Sequence, residues 1–252
     1  RTAELIRPIL RGRDIKRYGY EWANLYLIAT FPARHYDIED YPAVKDYFLS
    51  FAENNLRTAG YDWVANGYLA DFCQQKLAQT GKFVEILGKR IVIGNAPEKA
   101  RKKTPNRWFE IQDSISYWED FLKPKVVYPN MTKYLPFYYD KRGFYQNDKS
   151  FMITGKHLAF LTAFLNSSLF KYCFVNDFPE LQGGTRELRK IFFEKIPVIR
   201  IDDSTEALFK ELVAKMQDVP CKRIALRLDS LIFDLYELTE KERQQIGFIE
   251  IL

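Results

Sequence analysis

The chain is poor in the residues on which metal centres and disulfide frameworks depend. Its 252 residues include only two histidines, His35 and His157, which are too far apart to form a metal-ligand pair. The three cysteines, Cys73, Cys173 and Cys221, are odd in number and widely spaced, so we expect reduced side chains that pack in the core. The sequence therefore predicts no metal site, no disulfide and no histidine-dependent catalytic triad.

Long apolar runs and nucleotide-binding loops are also missing. No run approaches the roughly 18 apolar residues that a membrane span needs, and no apolar stretch precedes a small-residue cleavage site at the N-terminus. We therefore expect a cytoplasmic protein with no membrane partner. The sequence has neither Gly-x-Gly-x-x-Gly nor a Gly-Lys-Ser/Thr loop, so nothing predicts a cofactor bound by this chain. On its own, the chain is not expected to be an enzyme.

Basic and aromatic residues are abundant. Lysine and arginine total 38 against 33 aspartate and glutamate, which gives a net charge of +5 and a pI near 8.9. There are 20 Phe, 16 Tyr and 4 Trp, often beside Arg, Lys or Asn. This mixture suits a surface that packs on sugars and bases, and it suits a β-rich core equally well. Composition leaves both interpretations open.

The pattern along the chain predicts an α+β fold, with a mixed β-sheet and packed helices over residues 1–200 and a helical tail over residues 201–252 packed on that domain. Strands are predicted at residues 26–31 and before Pro129. A hairpin is predicted around Gly88-Lys89, another across residues 135–153, and an edge strand in "FFEKIPVIRI".

A helix with apolar residues at helical spacing is predicted from the N-cap Asp40, and a second helix is predicted from about Asn66 to Thr80, with Gly81 at its C′ position. The segment "GKHLAFLTAFLNSSLFKYCF" predicts one long buried helix. The tail begins at a Ser/Asp cap near Asp202, and Thr239 and Glu242 have the spacing of a capping box. Its apolar stripes favour core packing, with a partner-binding helix as the alternative.

Four segments carry basic or amide side chains in turn-rich surroundings. The opening stretch, residues 7–18, "RPILRGRDIKRY", predicts a solvated turn, a phosphate-binding loop or the point at which this chain was excised from a larger protein. The cationic loop, residues 97–108, and the glycine loop, residues 180–190, are candidates for an anionic partner, since glycine permits a close backbone approach. The end of the 125–129 strand is a fourth candidate. Each could equally be an ordinary solvated loop.

Five segments occur in an order that resembles one family: "LIRPILRGRDIKRYGYEWANLYLI", "NRWFEIQDSISYWEDFLKPKVVYPNM", "FLTAFLNSSLFKYCF", "IPVIRI" and "LDSLIFDLYELTEKE". The set is similar to the C-terminal target-recognition regions of adenine-specific DNA methyltransferases. That family includes TaqI-type specificity domains and Type IIG restriction–modification enzymes. The resemblance implies the fold of a Type I or IIG target-recognition domain and double-stranded DNA as the partner. It also implies an upstream methyltransferase domain of the same polypeptide that binds S-adenosylmethionine and a flipped adenine, and in some members an endonuclease.

The catalytic Asn-Pro-Pro-aromatic motif of that family is missing here, since "NAP" at residues 95–97 and "YPNM" at residues 128–131 do not match it. The resemblance therefore implies a reader of DNA without the chemistry. The residues expected to face DNA are Arg11, Arg13, Lys16, Arg17, Lys99, Arg101, Lys102, Lys103, Asn106, Arg107, Asn130, Lys133, Gln182, Thr185, Arg186 and Arg189. A protein-interaction scaffold in a phage-defence complex is the alternative function.

Overall fold

The structure is a computed structural model that describes residues 2–48, 83–86, 89–92, 106–107, 109–111 and 115–248. Only the backbone is described for residues 83–86 and 89–92 and for Asn176 and Gln182. The chain divides into two compact units. The first contains Arg1–Arg7 and Leu27–Trp118, and the second contains Pro8–Tyr26 and Glu119–Leu252. The predicted helix at residues 66–80 lies outside the described residues.

The first unit has a small core of its own. Helix α1 (Thr2–Leu5) leads into strand β1 (Ile6–Leu10), and β4 (Tyr26–Ile28) returns the chain to this unit. Residues 42–48 are helical, which confirms the predicted helix as far as it is described. The buried side chains Leu5, Ile38, Tyr41, Val44 and Phe109 form the core.

The predicted hairpin of the first unit is confirmed, with a shift in its connection. Strands β5 (Phe83–Ile86) and β6 (Lys89–Val92) are antiparallel, and Phe83 pairs with Val92. Because Ile86 pairs with Lys89, the connection is residues 87–88 and not the predicted Gly88-Lys89. Strand β4 ends at Ile28, three residues before the predicted end.

The second unit is built on strand β7 (Lys125–Pro129), which has five buried residues and lies where a strand was predicted. Strands β9 (Tyr138–Asp140) and β11 (Ser150–Ile153) flank it, both antiparallel to it. One face of this sheet packs against helices, because Val126, Tyr128, Phe137 and Tyr139 belong to the main hydrophobic core.

The prediction of a hairpin across residues 135–153 is wrong. Strand β9 pairs with β7, whereas β10 (Tyr145–Gln146) pairs in parallel with β1, Ile9 opposite Tyr145. The Asp140 carboxylate causes the change of direction. It accepts hydrogen bonds from the backbone N–H of Arg142 at 2.8 Å and of Phe144 at 2.9 Å, which turns the chain away from β9.

Two helices replace the single long helix predicted after residue 155. Helix α2 (Leu158–Leu165) and α3 (Ser168–Asp177) meet at a bend of 59°. The side-chain amide of Asn166 breaks the helix, because it forms hydrogen bonds with both the backbone N–H and the carbonyl of Phe137. The Ser167 hydroxyl then accepts a hydrogen bond from the N–H of Phe170 and caps the start of α3. Within the described ranges, no single helix is long and apolar enough to cross a membrane.

The prediction of an edge strand at residues 192–201 is also wrong. Helix α4 (Lys190–Phe193) occupies its beginning, and residues 194–202 form neither helix nor strand. Phe192 and Phe193 pack their rings against Phe178, and the N–H of Ile199 donates to the Tyr236 hydroxyl at 3.2 Å. Aromatic packing and a side-chain acceptor therefore hold this segment in place of a sheet partner.

The helical tail is confirmed in its position and its caps. It consists of α5 (Asp203–Asp218), α6 (Lys222–Leu235) and α7 (Glu240–Ile246), with Asp202 capping α5 and a Thr239–Glu242 capping box on α7. Two buried carboxylates of the tail accept hydrogen bonds from α2 and α3. Glu206 accepts them from the backbone N–H groups of Ala159 and Phe160, and Asp229 accepts them from the backbone N–H and the hydroxyl of Ser168. The tail thus shares the core of the second unit. A domain boundary at residue 200 stays a prediction.

Candidate nucleic-acid interface

A groove of about 1750 Å³ lies within the second unit. It is lined by the opening stretch, the loop that follows β7, part of the glycine loop and segments of the tail. Among the residues that the structure describes, the lining includes nine cations and three acidic residues. The cations are Arg13, Lys16, Arg17, Lys133, Lys141, Arg142, Lys149, Lys171 and Arg186, and the acids are Glu21, Glu180 and Asp218. We call this surface the basic groove.

The opening stretch contains a 3-10 turn that spans Gly12–Asp14. Asp14 accepts the backbone N–H of Arg11 at 2.9 Å, and the Arg11 guanidinium donates to the same carboxylate at 2.7 Å. This hydrogen bond lowers the pKa of Asp14, although burial opposes the shift. Arg11 is therefore engaged in the turn and does not line the groove.

Gly12 brings this turn against the loop of residues 147–149. Its N–H donates to Asn147 Oδ1 at 3.3 Å, and a Cβ on Gly12 would lie 2.3 Å from the carbonyl oxygen of Lys149. Real Cβ atoms are not found at such a distance, so only glycine permits this approach. The approach places Arg13 and Lys149 in the lining of one groove.

A short hairpin follows, formed by the two-residue strands β2 (Ile15–Lys16) and β3 (Gly19–Tyr20). Its turn residue Tyr18 is buried at φ 57° and donates its N–H to the carbonyl of Phe137 at 3.0 Å. The neighbouring Arg17 donates to the carbonyl of Asn166 at 2.6 Å, and Lys16 pairs with the exposed Glu21 at 3.1 Å. The hairpin is thus anchored to the core beneath the groove.

A short antiparallel ribbon joins two of the segments selected from the sequence. Strand β8 (Met131–Thr132) pairs with β12 (Arg186–Glu187), Thr132 opposite Arg186, and the carbonyl of Asn130 accepts the N–H of Leu188 at 2.8 Å. The glycine loop turns through Gly183 and Gly184, both at positive φ, which glycine adopts without strain. The structure therefore brings the end of β7 and the glycine loop together.

Arg186 supports this loop from inside. Its guanidinium donates to the carbonyl of Phe178, pairs with Glu180 at 3.3 Å and lies 5.7 Å from the ring centroid of Phe174. Its side chain is only 11% exposed. Arg186 thus holds the glycine loop against α3 and presents little surface to a ligand.

Six of the predicted DNA-facing residues line the groove: Arg13, Lys16, Arg17, Asn130, Lys133 and Arg186. Arg11, Thr185 and Arg189 do not line it, and Arg189 pairs with Glu187 at 2.7 Å. Asn106 and Arg107 belong to the first unit, where Arg107 pairs with Glu110 at 2.8 Å. Lys99, Arg101, Lys102 and Lys103 lie outside the described residues, as does the side chain of Gln182. DNA contact stays a prediction for all sixteen.

Sequence reasoning missed four cations of the groove, Lys141, Arg142, Lys149 and Lys171. The first two lie in "DKRG", which has the composition of a hairpin turn, and Lys171 lies on α3, which was predicted as buried. Arg142 donates to the Tyr20 hydroxyl, and the Tyr20 ring packs 5.0 Å from Tyr138. A cation flanked by aromatic residues in a turn was the available signal.

The described part of the chain has no group of three or more His, Cys, Asp or Glu residues that could hold a metal ion. The side chains that line the groove instead suit an extended polyanion, because lysine ammonium groups and arginine guanidinium groups bind phosphate. The molecule therefore has the features of a nucleic-acid recognition domain: an α+β scaffold and a basic groove.

Comparison with known proteins identifies the family within that class. The TaqI-like C-terminal specificity domain family matches residues 7–198, and the chain belongs to this family. Membership indicates recognition of a DNA sequence in a methyltransferase or restriction system, and it agrees with the predicted α+β recognition domain. No curated protein matches the chain.

Proposed function

We propose that this chain reads a sequence in double-stranded DNA through the basic groove, as the specificity domain of a larger adenine-specific DNA methyltransferase or Type IIG restriction–modification enzyme. The observation that carries the proposal is the charge of the groove, with nine cations against three acidic residues. The groove alone has an excess of six positive charges, whereas the whole chain has a net charge of +5. Within the described residues, the lining of this groove therefore carries a clear excess of positive charge.

Three lysines are the candidates for phosphate contacts. Lys133, Lys141 and Lys171 are exposed, line the groove and form no ion pair with the residues that the structure describes. A cation without an acidic partner can neutralise a phosphate and release the counterions condensed on DNA. Such contacts fix the register of the domain on the duplex and carry no sequence information themselves.

The ribbon of β8 and β12 is the candidate for base recognition. The major groove of B-form DNA admits a two-stranded β-ribbon, and amide and cationic side chains there distinguish adenine from guanine. Asn130 directly precedes β8 and lines the basic groove. We assign sequence recognition to this ribbon and phosphate contacts to the surrounding lysines.

In this proposal the methyl transfer belongs to an upstream domain of the same polypeptide, in the cytoplasm. S-adenosylmethionine, which supplies the methyl group, fits the basic groove poorly, because the excess of cations in the lining disfavours its sulfonium cation. Extrusion of an adenine costs a few kcal/mol, which contacts to the flanking duplex must offset. The specificity domain supplies those contacts.

A matched pair of charge-reversal variants tests the proposal. Lys133→Glu/Lys141→Glu reverses two groove cations, and Lys210→Glu/Lys241→Glu reverses two exposed cations that do not line the groove. Both variants change the net charge equally, so nonspecific effects of charge cancel in the comparison. We expect the groove variant to bind a mixed-sequence duplex at least about tenfold more weakly than the control variant. Equal affinities, measured by fluorescence anisotropy, would contradict the proposal.

A further inference from the structure

One aromatic side chain projects from the basic groove. Tyr134 is 79% exposed, the largest exposed fraction of any large hydrophobic side chain that the structure describes. It lines the groove directly after Lys133. Within the described part of the chain, its ring and its hydroxyl have no partner. The apolar face of the ring is therefore available to a ligand in the groove.

The other exposed tyrosines of the second unit have partners. Tyr26 is 57% exposed, and its ring packs at 5.1 Å on the ring of Trp22. Tyr172 is 41% exposed, and its hydroxyl accepts a hydrogen bond from Gln245 at 3.1 Å. Tyr134 differs from both in its environment as well as in its exposure.

The backbone of Tyr134 is held firmly even though its ring is exposed. The Thr132 hydroxyl donates to the carbonyl of Tyr134 at 2.7 Å and accepts the N–H of Tyr134 at 3.0 Å. The following residues Leu135 and Phe137 are buried, at 5% and 0% exposure. The ring is thus presented from an ordered turn, so a ligand that contacts it does not have to order the loop.

We propose that Tyr134 is a wedge that stacks on a nucleobase of the bound duplex and unstacks one base step. The occupant follows from the surroundings. The cations of the groove select a polyanion, and the part of duplex DNA that suits an exposed aromatic ring is the π-face of a base. Side chains that proteins of the minor-groove-binding type insert between base pairs partly unstack base steps and bend the duplex. The inference rests on the proposed function, since it requires that DNA occupies this groove.

Unwinding of closed circular plasmid DNA tests the wedge without knowledge of the recognition sequence. A topoisomerase relaxes the plasmid in the presence of saturating protein, and the linking number is read after the protein is removed. Binding to the same plasmid, linearised, is measured in parallel. The set comprises the wild-type chain, Tyr134→Ala, Tyr134→Phe, which keeps the ring, and Tyr26→Ala, which removes an exposed tyrosine that does not line the groove.

We expect wild-type protein, Tyr134→Phe and Tyr26→Ala to lower the linking number equally. Tyr134→Ala should bind about tenfold more weakly and produce no unwinding at saturation. The wedge is overturned if Tyr134→Ala unwinds the plasmid as wild type does, or if wild-type protein binds the plasmid and leaves the linking number unchanged; in both cases the proposed function stands. If wild-type protein does not bind the plasmid at low salt, the proposed function and the wedge both fail.

Discussion

Gly12 lies so close to Lys149 that a Cβ on Gly12 would stand 2.3 Å from the Lys149 carbonyl oxygen. This contact joins two segments 137 residues apart, and each contributes a cation to the basic groove, Arg13 next to Gly12 and Lys149 itself. The geometry of the groove therefore depends on a position without a side chain.

Gly12→Ala should destabilise the second unit by about 1–3 kcal/mol, because the turn and the 147–149 loop must separate to make room for the methyl group. Gly19→Ala is the matched control in the adjoining hairpin. Nothing lies within 4 Å of a Cβ at that position, so we expect a change below about 0.5 kcal/mol. Urea denaturation of both variants measures the difference. Equal stabilities would show that the contact with Lys149 is unimportant.

Glu206→Ala should lower the free energy of unfolding by about 2–4 kcal/mol. Glu206 is 3% exposed and accepts the N–H groups of Ala159 and Phe160 at 3.1 and 3.0 Å, so its removal leaves two donors of α2 buried and unpaired. Glu211→Ala, which removes an exposed carboxylate from the same helix, should leave stability unchanged. If the two variants unfold at the same urea concentration, Glu206 does not join the tail to the body.

Asp140→Ala should destabilise the chain by about 3–5 kcal/mol, since Lys125 would be left buried without its ion-pair partner. Lys125 Nζ lies 2.6 Å from Asp140 Oδ2, and both side chains are completely buried. Burial lowers the pKa of Lys125, and the Asp140 carboxylate opposes that shift. The double variant Lys125→Met/Asp140→Leu should lose less than the sum of Lys125→Met and Asp140→Leu. Strict additivity in this double-mutant cycle would contradict a coupled pair.

The cap at Asp202 predicts a specific pH dependence. Hydrogen bonds from Thr205 and Ser204 lower the pKa of Asp202 from 3.8 to about 2. Between these values the unfolded chain binds more protons than the folded chain, so stability falls as the pH is lowered through this range. We expect Asp202→Asn to remove this contribution. The free energy of unfolding of wild type and variant should therefore converge between about pH 4 and pH 2, and parallel curves would contradict the prediction.

Features set by neighbouring residues could be predicted from the sequence. The caps at Asp202 and Thr239 and the end of strand β7 at Pro129 depend on hydrogen bonds or dihedral angles within a few residues, and the structure confirms them. The bend after α2 could not be predicted, because it depends on the hydrogen bonds between Asn166 and Phe137, which are 29 residues apart.

The candidate site shows the same division between local and distant causes. Local charge and glycine content selected the opening stretch, the end of β7 and the glycine loop, which the structure brings to one groove. The tertiary fold determines that Arg186 contacts Phe178 and Glu180. It also determines that Lys141 and Arg142 line the groove. Apart from the aromatic residues that flank Lys141 and Arg142, such interactions leave no trace in local sequence patterns.

The salt dependence of duplex binding tests recognition of DNA by the basic groove most directly. The dissociation constant of the wild-type chain for a mixed-sequence duplex is measured over a series of potassium chloride concentrations. We expect the logarithm of the binding constant to fall linearly with the logarithm of the salt concentration. Lys133→Glu/Lys141→Glu should reduce the slope by about 2, because each of the two lysines neutralises one phosphate in the wild-type complex. Binding that does not change with salt, or no binding at low ionic strength, would contradict recognition of DNA through the basic groove.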